Sequence, residues 1–487
     1  MKAAVPAPRP GNQMIETSGR VGFIAKGLVA LTAAFVVCAC FQSASASAMP
    51  ATFRLGFSDG LFTSPEPSSS LALARQAGGR IVRLEAGWSG IARTKPADQR
   101  NPADPAYSFS ALDRSVITAV KEGLEPLLLA NAAPAWAQEP GIEKAPFQTR
   151  TGAWKPDAAA FGDFGRALAT RYSGSFTPAG SSGPLPRVRT FQAWNEPNLN
   201  LYLSPQWEPD GAKWRAFAPV RYRSMLNAFT KAVKAVRRDN MVVTAGTSPY
   251  GEDVGSWRRR PLAFWRDVLC VQRRCSNPAN FDALSSHPYV SSREGPLVDS
   301  FNHDDLPVLG MKRLASLLRK AESLRRVAGP KRHRLWATEL GYETNPPDPD
   351  GVSLGDQSRF LTVSLFLLWK AGVDTMIWNQ LLDQAAGGDI AATIQSGLFF
   401  SSGEPKPASK SFAFPFTTDP ANRRSYWGIA PKRGEVFVQR LSRGRWIAVA
   451  RTVTNSNRIF RGTASIPRNS VLRAVQKGVT SPLWRAG

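Results

Sequence analysis

The chain has 487 residues, 43% of them hydrophobic and 20% charged. That composition suits a globular protein with a sizeable core and excludes a disordered or fibrous chain, and the length suits one large barrel plus a small appendage. The formal charge of +25 attracts acidic surfaces: nucleic acid, anionic cell-wall polymer or anionic polysaccharide.

Residues 1–48 read as an export signal. Lys2, Arg9, Arg20 and Lys26 make a basic start, Gly27 to Phe41 is an apolar run, and SASASA follows. Ala46-Ser47-Ala48 fits the small-x-small cleavage pattern, which places cleavage after Ala48 and the mature chain outside the cell. The apolar run is short for a span that needs about 20 residues. A lipid anchor on Cys40 is the lesser alternative. Removing the signal takes away four basic residues and one acidic one and leaves a net charge of +22. The basic residues come in short clusters, such as Arg258-Arg259-Arg260 and Lys331-Arg332, rather than in one stripe. A surface-wide arginine bias accounts for them, and no nucleic-acid motif accompanies them.

Eight short apolar runs follow in chain order: Phe53–Ser58, Arg80–Glu85, Glu125–Ala130, Val188–Trp194, Met241–Gly246, Phe281–Ser286, Arg334–Glu339 and Val373–Gln380. Their length and β-branched content read as strands. Between them lie helical stretches. One opens at Ser110, whose side chain is positioned to cap it with Asp113 three residues on, and ends near Gly123. Others are expected near Asp157–Tyr172, Arg221–Arg238, Gly310–Ala328 and Ser358–Ala371. Strand–helix alternation across residues 49–415 predicts an α/β fold, a (β/α)8 TIM barrel. A doubly wound open sheet is the alternative, but no Gly-rich phosphate loop follows a strand. From about Thr417 the texture changes to short alternating segments split by Gly, Asn, Ser and Pro, which predicts a small all-β, sandwich-like domain over residues 416–487.

Two of the four cysteines fall in the signal. The remaining pair, Cys270 and Cys275, reads as a local disulfide in an exported chain. The three histidines, His287, His303 and His333, lack metal-ligand spacing, so neither metal nor other cofactor is expected. A monomer is expected.

Functional groups of such a barrel collect at the C-terminal ends of its strands. The fourth run ends there in Trp194-Asn195-Glu196-Pro197-Asn198, where proline stops the strand and leaves Glu196 at its tip. This segment resembles clan A of the glycoside hydrolases, particularly the barrel families 39 and 5, in which an Asn-Glu pair ends the fourth strand. The resemblance implies that Glu196 is the general acid/base and that Asn195 bonds a sugar 2-hydroxyl. It also implies a nucleophile at the tip of the seventh strand, where Trp336-Ala-Thr-Glu339 stands 143 residues later. The chemistry explains the pairing. A retaining glycosidase needs two carboxyl groups about 5–5.5 Å apart, one to attack the anomeric carbon and one to protonate the leaving oxygen and then activate water.

By the same resemblance Arg83, in RIVRLEAGW, orients the nucleophile, and Tyr289 of SSHPY bonds its carboxylate, while His287 contacts sugar or rim. Trp378, in MIWNQ, matches the tryptophan that floors the sugar site. Trp88, Asn131 and Trp136 are candidate subsite residues, and Glu85 and Asp383 are rival carboxylates. The resemblance covers most of residues 51–415, the GLFF and EPKPA segments at 397–400 and 404–408 included. The loops after the second, fourth and fifth strands match no substrate pattern. The expected activity is retaining hydrolysis of a β-linked oligo- or polysaccharide; a catalytically silent, secreted carbohydrate- or wall-binding protein on the same barrel is the alternative.

Overall fold

The structure, a computed structural model, describes residues 49–290, 293–385, 390 and 393–486. The segment read from sequence as an export signal, with its expected cleavage point, lies outside the described residues. Eight parallel strands close into a barrel: β1 (Arg54–Ser58), β2 (Ile81–Gly87), β3 (Glu125–Asn131), β4 (Thr190–Ala193), β5 (Met241–Thr244), β6 (Ala283–Ser286), β7 (Arg334–Ala337) and β8 (Thr375–Asn379). Each pairs with its sequence neighbours and β8 returns to β1, Arg54 opposite Thr375 through Ser58 opposite Asn379. Every strand predicted from sequence is present, within a few residues at its ends.

A helix follows each strand among the described residues: α1 (Ser68–Gln76), α2 (Ser110–Lys121), α3 (Ala158–Arg171), α4 (Ala218–Val236), α5 (Pro261–Val268), α6 (Met311–Ser323), α7 (Leu354–Lys370) and α8 (Pro407–Ala413). In α6 the buried residues Met311, Leu314, Ala315, Leu318 and Ala321 recur at helical spacing and form the stripe that faces the barrel. The cap expected of Ser110 is not formed. Ser110 is already inside the first turn of α2, behind Phe109, and makes no capping bond. Helix α7 starts a turn earlier than expected, because Ser353 accepts the amide of Asp356 and serves as its cap. Helices α1, α5 and α8 had no expected counterpart.

Strand alternation divides the barrel residues. Ile81, Leu127, Val243, Ala283, Trp336 and Ile377 fill the interior, while Met376 and Trp378 of β8 belong to the larger core between barrel and helices. Cys270 and Cys275 are bonded to each other in the loop after α5. After α8 come antiparallel sheets. One has the order β9 (Phe416–Asp419), β10 (Asn422–Ile429), β13 (Ile459–Thr463); the other is built on β12 (Arg445–Val453), β11 (Glu435–Ser442) and β14 (Val471–Gln476). Trp427 of β10 lies 5.6 Å from Trp369 of α7 between ring centres, so this sheet shares its core with the barrel layer.

Candidate active site

Four strand ends on the C-terminal side of the barrel converge on one group of polar side chains. Strand β4 stops at Ala193, and the next three residues make a sharp turn in which Trp194 (φ 78°) and Glu196 (φ 36°) adopt left-handed backbone. For non-glycine residues this conformation costs of the order of 1–3 kcal/mol each, and it clusters at functional sites. Surrounding bonds hold it: the Trp194 amide donates to Ala130 O, the Glu196 amide donates to Gly246 O at 2.9 Å, and the Trp194 indole donates to Tyr202 O.

Glu196 and Glu339 meet across His287. The histidine Nδ1 lies 2.9 Å from Glu196 Oε1 and 3.6 Å from Glu339 Oε2. Two oxygens at those distances from one nitrogen can be no more than about 6.5 Å apart. Both carboxylates keep a little surface open, 14% and 17% of their side chains, while His287 is fully buried. Its Nε2 has no hydrogen-bond partner among the described residues, so the polar contacts of the ring run through Nδ1, which faces the carboxylates. The ring edge rests on Gly246, where a Cβ would lie 2.1 Å from His287 Cδ2 and Nε2. Only glycine admits the histidine there.

Glu339 is further held by Arg83 Nη1 at 2.7 Å on Oε1 and by the Tyr289 hydroxyl at 2.9 Å on Oε2. Burial pushes its pKa up, but the positive fields of His287 and Arg83, with hydrogen bonds from Tyr289 and Arg83, outweigh it and hold the carboxyl below its usual value. Tyr289 is kept a neutral donor: burial first, then the charges of Glu339 and Glu196, raise its phenol well above the ordinary value. Arg83 is itself locked, donating from Nε to Gln192 Oε1 at 2.7 Å and from Nη2 to Asn195 Oδ1 at 2.8 Å. Asn195 therefore has its oxygen committed to Arg83 and offers only N–H donors elsewhere. Among the described residues no group of three His, Cys, Asp or Glu side chains is placed to hold a metal ion.

Three expected roles are corrected by placement. Trp378 is fully buried, its indole donating to Ser396 O, and presents no ring face to a sugar. The period-two alternation of β8 sends Trp378 outward and Asn379 to the mouth, where its Nδ2 donates to the Tyr289 hydroxyl. Trp88 is also fully buried. The chain turns after β2 into the short helix Trp88–Ile91, which stacks the indole on Phe164 at 5.5 Å rather than on the rim. His287, with no open surface, bridges the two carboxylates instead of touching sugar. Asn131 ends β3 with a buried Oδ1 that has no partner among the described residues. Trp136 is half-buried, edge-on to Trp88, with its indole bonded to Ala92 O. Of the rival carboxylates, Asp383 is consumed in a buried ion pair with Lys406 at 2.7 Å. Glu85 is exposed on β2 and touches neither His287 nor Arg83.

Gln192, Asn379 and Tyr202 were not singled out from sequence. Gln192 left a usable signal, a polar residue on the inward phase of a buried strand. Tyr202 sits in the loop that matched no pattern. Burial, then the charges of Glu196 and Glu339, push its phenol up to about 12, and Arg150 lies over its ring at 6.0 Å.

No protein-family model and no curated protein matches the chain. Solved structures do. A family 39 glycoside hydrolase from the gut symbiont Bacteroides cellulosilyticus WH2 is similar at 16% identity and TM-score 0.51, over 85% of this chain and 80% of that one. A glucosidase from Croceicoccus marinus is similar at 15% identity and TM-score 0.47, over 85% and 80%. A family 5 glycoside hydrolase from Bifidobacterium longum subsp. infantis is similar at 16% identity and TM-score 0.44, over 74% and 77%. The fold is that of the clan A TIM-barrel glycosidases.

Proposed function

We propose that the protein is an exported retaining glycoside hydrolase that cleaves a β-glycosidic bond in an oligo- or polysaccharide. Glu339 is the nucleophile and Glu196 the general acid/base. The observation that carries this reading is the sharing of one histidine nitrogen by two carboxylates from strands far apart in sequence, which brings them within reach of a single sugar ring. The bound of about 6.5 Å on two of their oxygens sits at the bottom of the inverting range of about 6.5–9.5 Å, in which a water must fit between the groups, and accommodates the retaining spacing of about 5–5.5 Å.

The roles follow from the partners. Arg83 and Tyr289 hold Glu339 as an anion aimed into the mouth, as a nucleophile requires. No arginine or lysine bonds Glu196 among the described residues, which suits the group that must carry a proton. In the first step Glu339 attacks the anomeric carbon while the bond to the leaving oxygen breaks and Glu196 gives that oxygen its proton. In the second step Glu196 takes a proton from water, the water oxygen attacks the same carbon, and Glu339 leaves as carboxylate. Asn195, oriented by Arg83, offers its N–H to a sugar hydroxyl, and Asn131 at the neighbouring strand holds a buried, uncommitted amide oxygen. Export is supported by the signal-like start of the chain and by the bonded cysteine pair. No helix among the described residues is long and apolar enough to cross a membrane.

A screen against aryl β-glycosides and polysaccharides tests the reading, with Glu196→Gln and Glu339→Gln beside the parent. Both variants are expected to lose roughly three orders of magnitude or more in rate, since each lacks a group acting in the transition state. Azide is expected to revive Glu339→Gly and give the glycosyl azide of opposite anomeric configuration. Variants as active as the parent would end the assignment.

A further inference from the structure

The opposite end of the barrel holds a second polar construction that hydrolysis does not use. A cavity of about 310 Å³ opens beneath β1 and β2, lined by Arg54, Arg80, Arg433 and Arg458 with Ser456 and Asn457 beside them. Arg54 is the first residue of β1 and Arg80 immediately precedes β2, so the cavity faces away from Glu196 and Glu339. The loop between β12 and β13 closes it from the C-terminal sheets.

Its wall carries donors and no carboxylate. Arg54 gives one nitrogen to Glu125, at 2.8 Å, but Glu125 is 65% exposed and outside the lining. The remaining Arg54 nitrogens, Nε and Nη2, are buried without a hydrogen-bond partner among the described residues, and the guanidinium lies over the Trp336 ring, 5.4 Å from its centre. Arg433 and Arg458 spend one nitrogen each on backbone carbonyls, of Ser456 at 2.7 Å and Pro431 at 3.2 Å. No hydrogen bond from the Arg80 guanidinium to a described residue is formed. The charges also feel one another. Burial, then the positive charges of Arg80 and Arg75, hold Arg458 below the usual guanidinium value, and burial, then Arg75, does the same to Arg80.

Crowding like charges in a partly desolvated space costs free energy unless an anion offsets it. Guanidinium forks match the oxygens of phosphate and sulfate in paired hydrogen bonds. The volume equals roughly ten water molecules' share, enough for such a group with part of its hydration. A larger cavity of about 580 Å³ beside α4 and the disulfide loop is also rich in arginine. There, however, Arg215, Arg221 and Arg266 are paired with Glu208, Glu139 and Asp304. That cavity already has its counter-charges; in the one under the barrel only Arg54 bonds a carboxylate, Glu125, and Arg80, Arg433 and Arg458 bond none among the described residues.

We propose that Arg54, Arg80, Arg433 and Arg458 form a binding site for a tetrahedral oxyanion, a phosphate or sulfate group, at the N-terminal end of the barrel. The group comes either as the free ion or as an ester on an anionic polymer, and the site is independent of the hydrolase reading. Titration calorimetry and thermal melting of the whole protein with inorganic phosphate test it, against sodium chloride at matched ionic strength. Phosphate is expected to bind saturably and raise Tm where chloride does not, and Arg80→Gln/Arg458→Gln to bind it at least about tenfold more weakly. Arg433→Gln, at an exposed position, carries the same expectation should the double variant not fold. A polyphosphate arm separates the sources: binding much tighter than inorganic phosphate points to a polymer, and equal binding to the free ion, either result supporting the site. Absence of a phosphate response beyond chloride, or unchanged affinity in the variants, overturns it.

Discussion

Replacing Arg83 by glutamine removes the one permanent cation bonded to Glu339. The guanidinium makes three side-chain hydrogen bonds, to Glu339, Gln192 and Asn195, and glutamine can recover at most part of the last two. Breaking a buried ion pair costs about 3–5 kcal/mol. Glu339 keeps 17% of its side chain open to water, so the lower end of that stability cost applies; on the rate, a nucleophile released from its clamp is expected to lose roughly 10²-fold. The pH dependence has a definite sign. Arg83 helps hold the Glu339 pKa below its ordinary value, so without Arg83 the carboxylate takes up a proton at higher pH and the acid limb of kcat/KM moves upward. Stability shifts in the same sense. A depressed carboxylate pKa stabilises the fold above the unfolded value and ceases to do so as pH falls through the folded one, and the variant loses that contribution. Initial rates on an aryl β-glycoside from acid to neutral pH, with melting curves at each pH, measure both effects. A variant within about threefold of the parent in kcat/KM, with its acid limb unmoved, would refute the claim that Arg83 governs Glu339.

Three further outcomes are expected. Gly246→Ala puts a methyl group where His287 now sits, and the displaced ring is expected to cost at least about tenfold in rate, since small misplacements at a reacting centre are expensive; parent-level rates in a folded variant would count against the histidine bridge. Trp378→Phe removes the indole donor from the Ser396 carbonyl and leaves it Gln357 Nε2 at 3.4 Å, which is expected to lower stability by about 1 kcal/mol while KM stays put; a raised KM at unchanged Tm would restore a sugar-facing tryptophan. Lys406→Met strands Asp383, whose ion pair is almost wholly buried, and chemical denaturation is expected to register a loss of about 3–5 kcal/mol. A neutral result there would mean that Asp383 is protonated in the fold.

The strands were legible because each is a short apolar run between turn residues, and a barrel buries both faces of its strands. Helices with a clear stripe, such as α6, were legible for the complementary reason. Helix α5 carries buried Pro261, Leu262, Phe264, Trp265 and Val268 at helical spacing but is only eight residues long, about two turns, too short a window for the period to stand out. Helix α1 opens on three serines and has no side-chain cap. The candidate site was legible where the residues form a contiguous motif at a strand tip, as Glu196 and its neighbours do. It was not legible where one residue's shift along a strand decides which face a side chain meets, as with Trp378 and Asn379, nor where the partner is remote, as with Gln192 under Arg83.

Sequence alone determined the alternation of strand and helix, the antiparallel texture after residue 416, and the identity of two acidic strand tips on one end of a barrel. These are properties of local pattern and of a topology that lines up strand ends. Tertiary structure decided which nitrogen those carboxylates share, that Arg83 is clamped by Gln192 and Asn195, and that two tryptophans belong to the core. It also decided that four arginines from two distant regions of the chain, two near the first barrel strands and two in loops of the C-terminal sheets, line one cavity. Such relations depend on side-chain direction and on contacts between residues tens to hundreds of positions apart, and no local pattern encodes them.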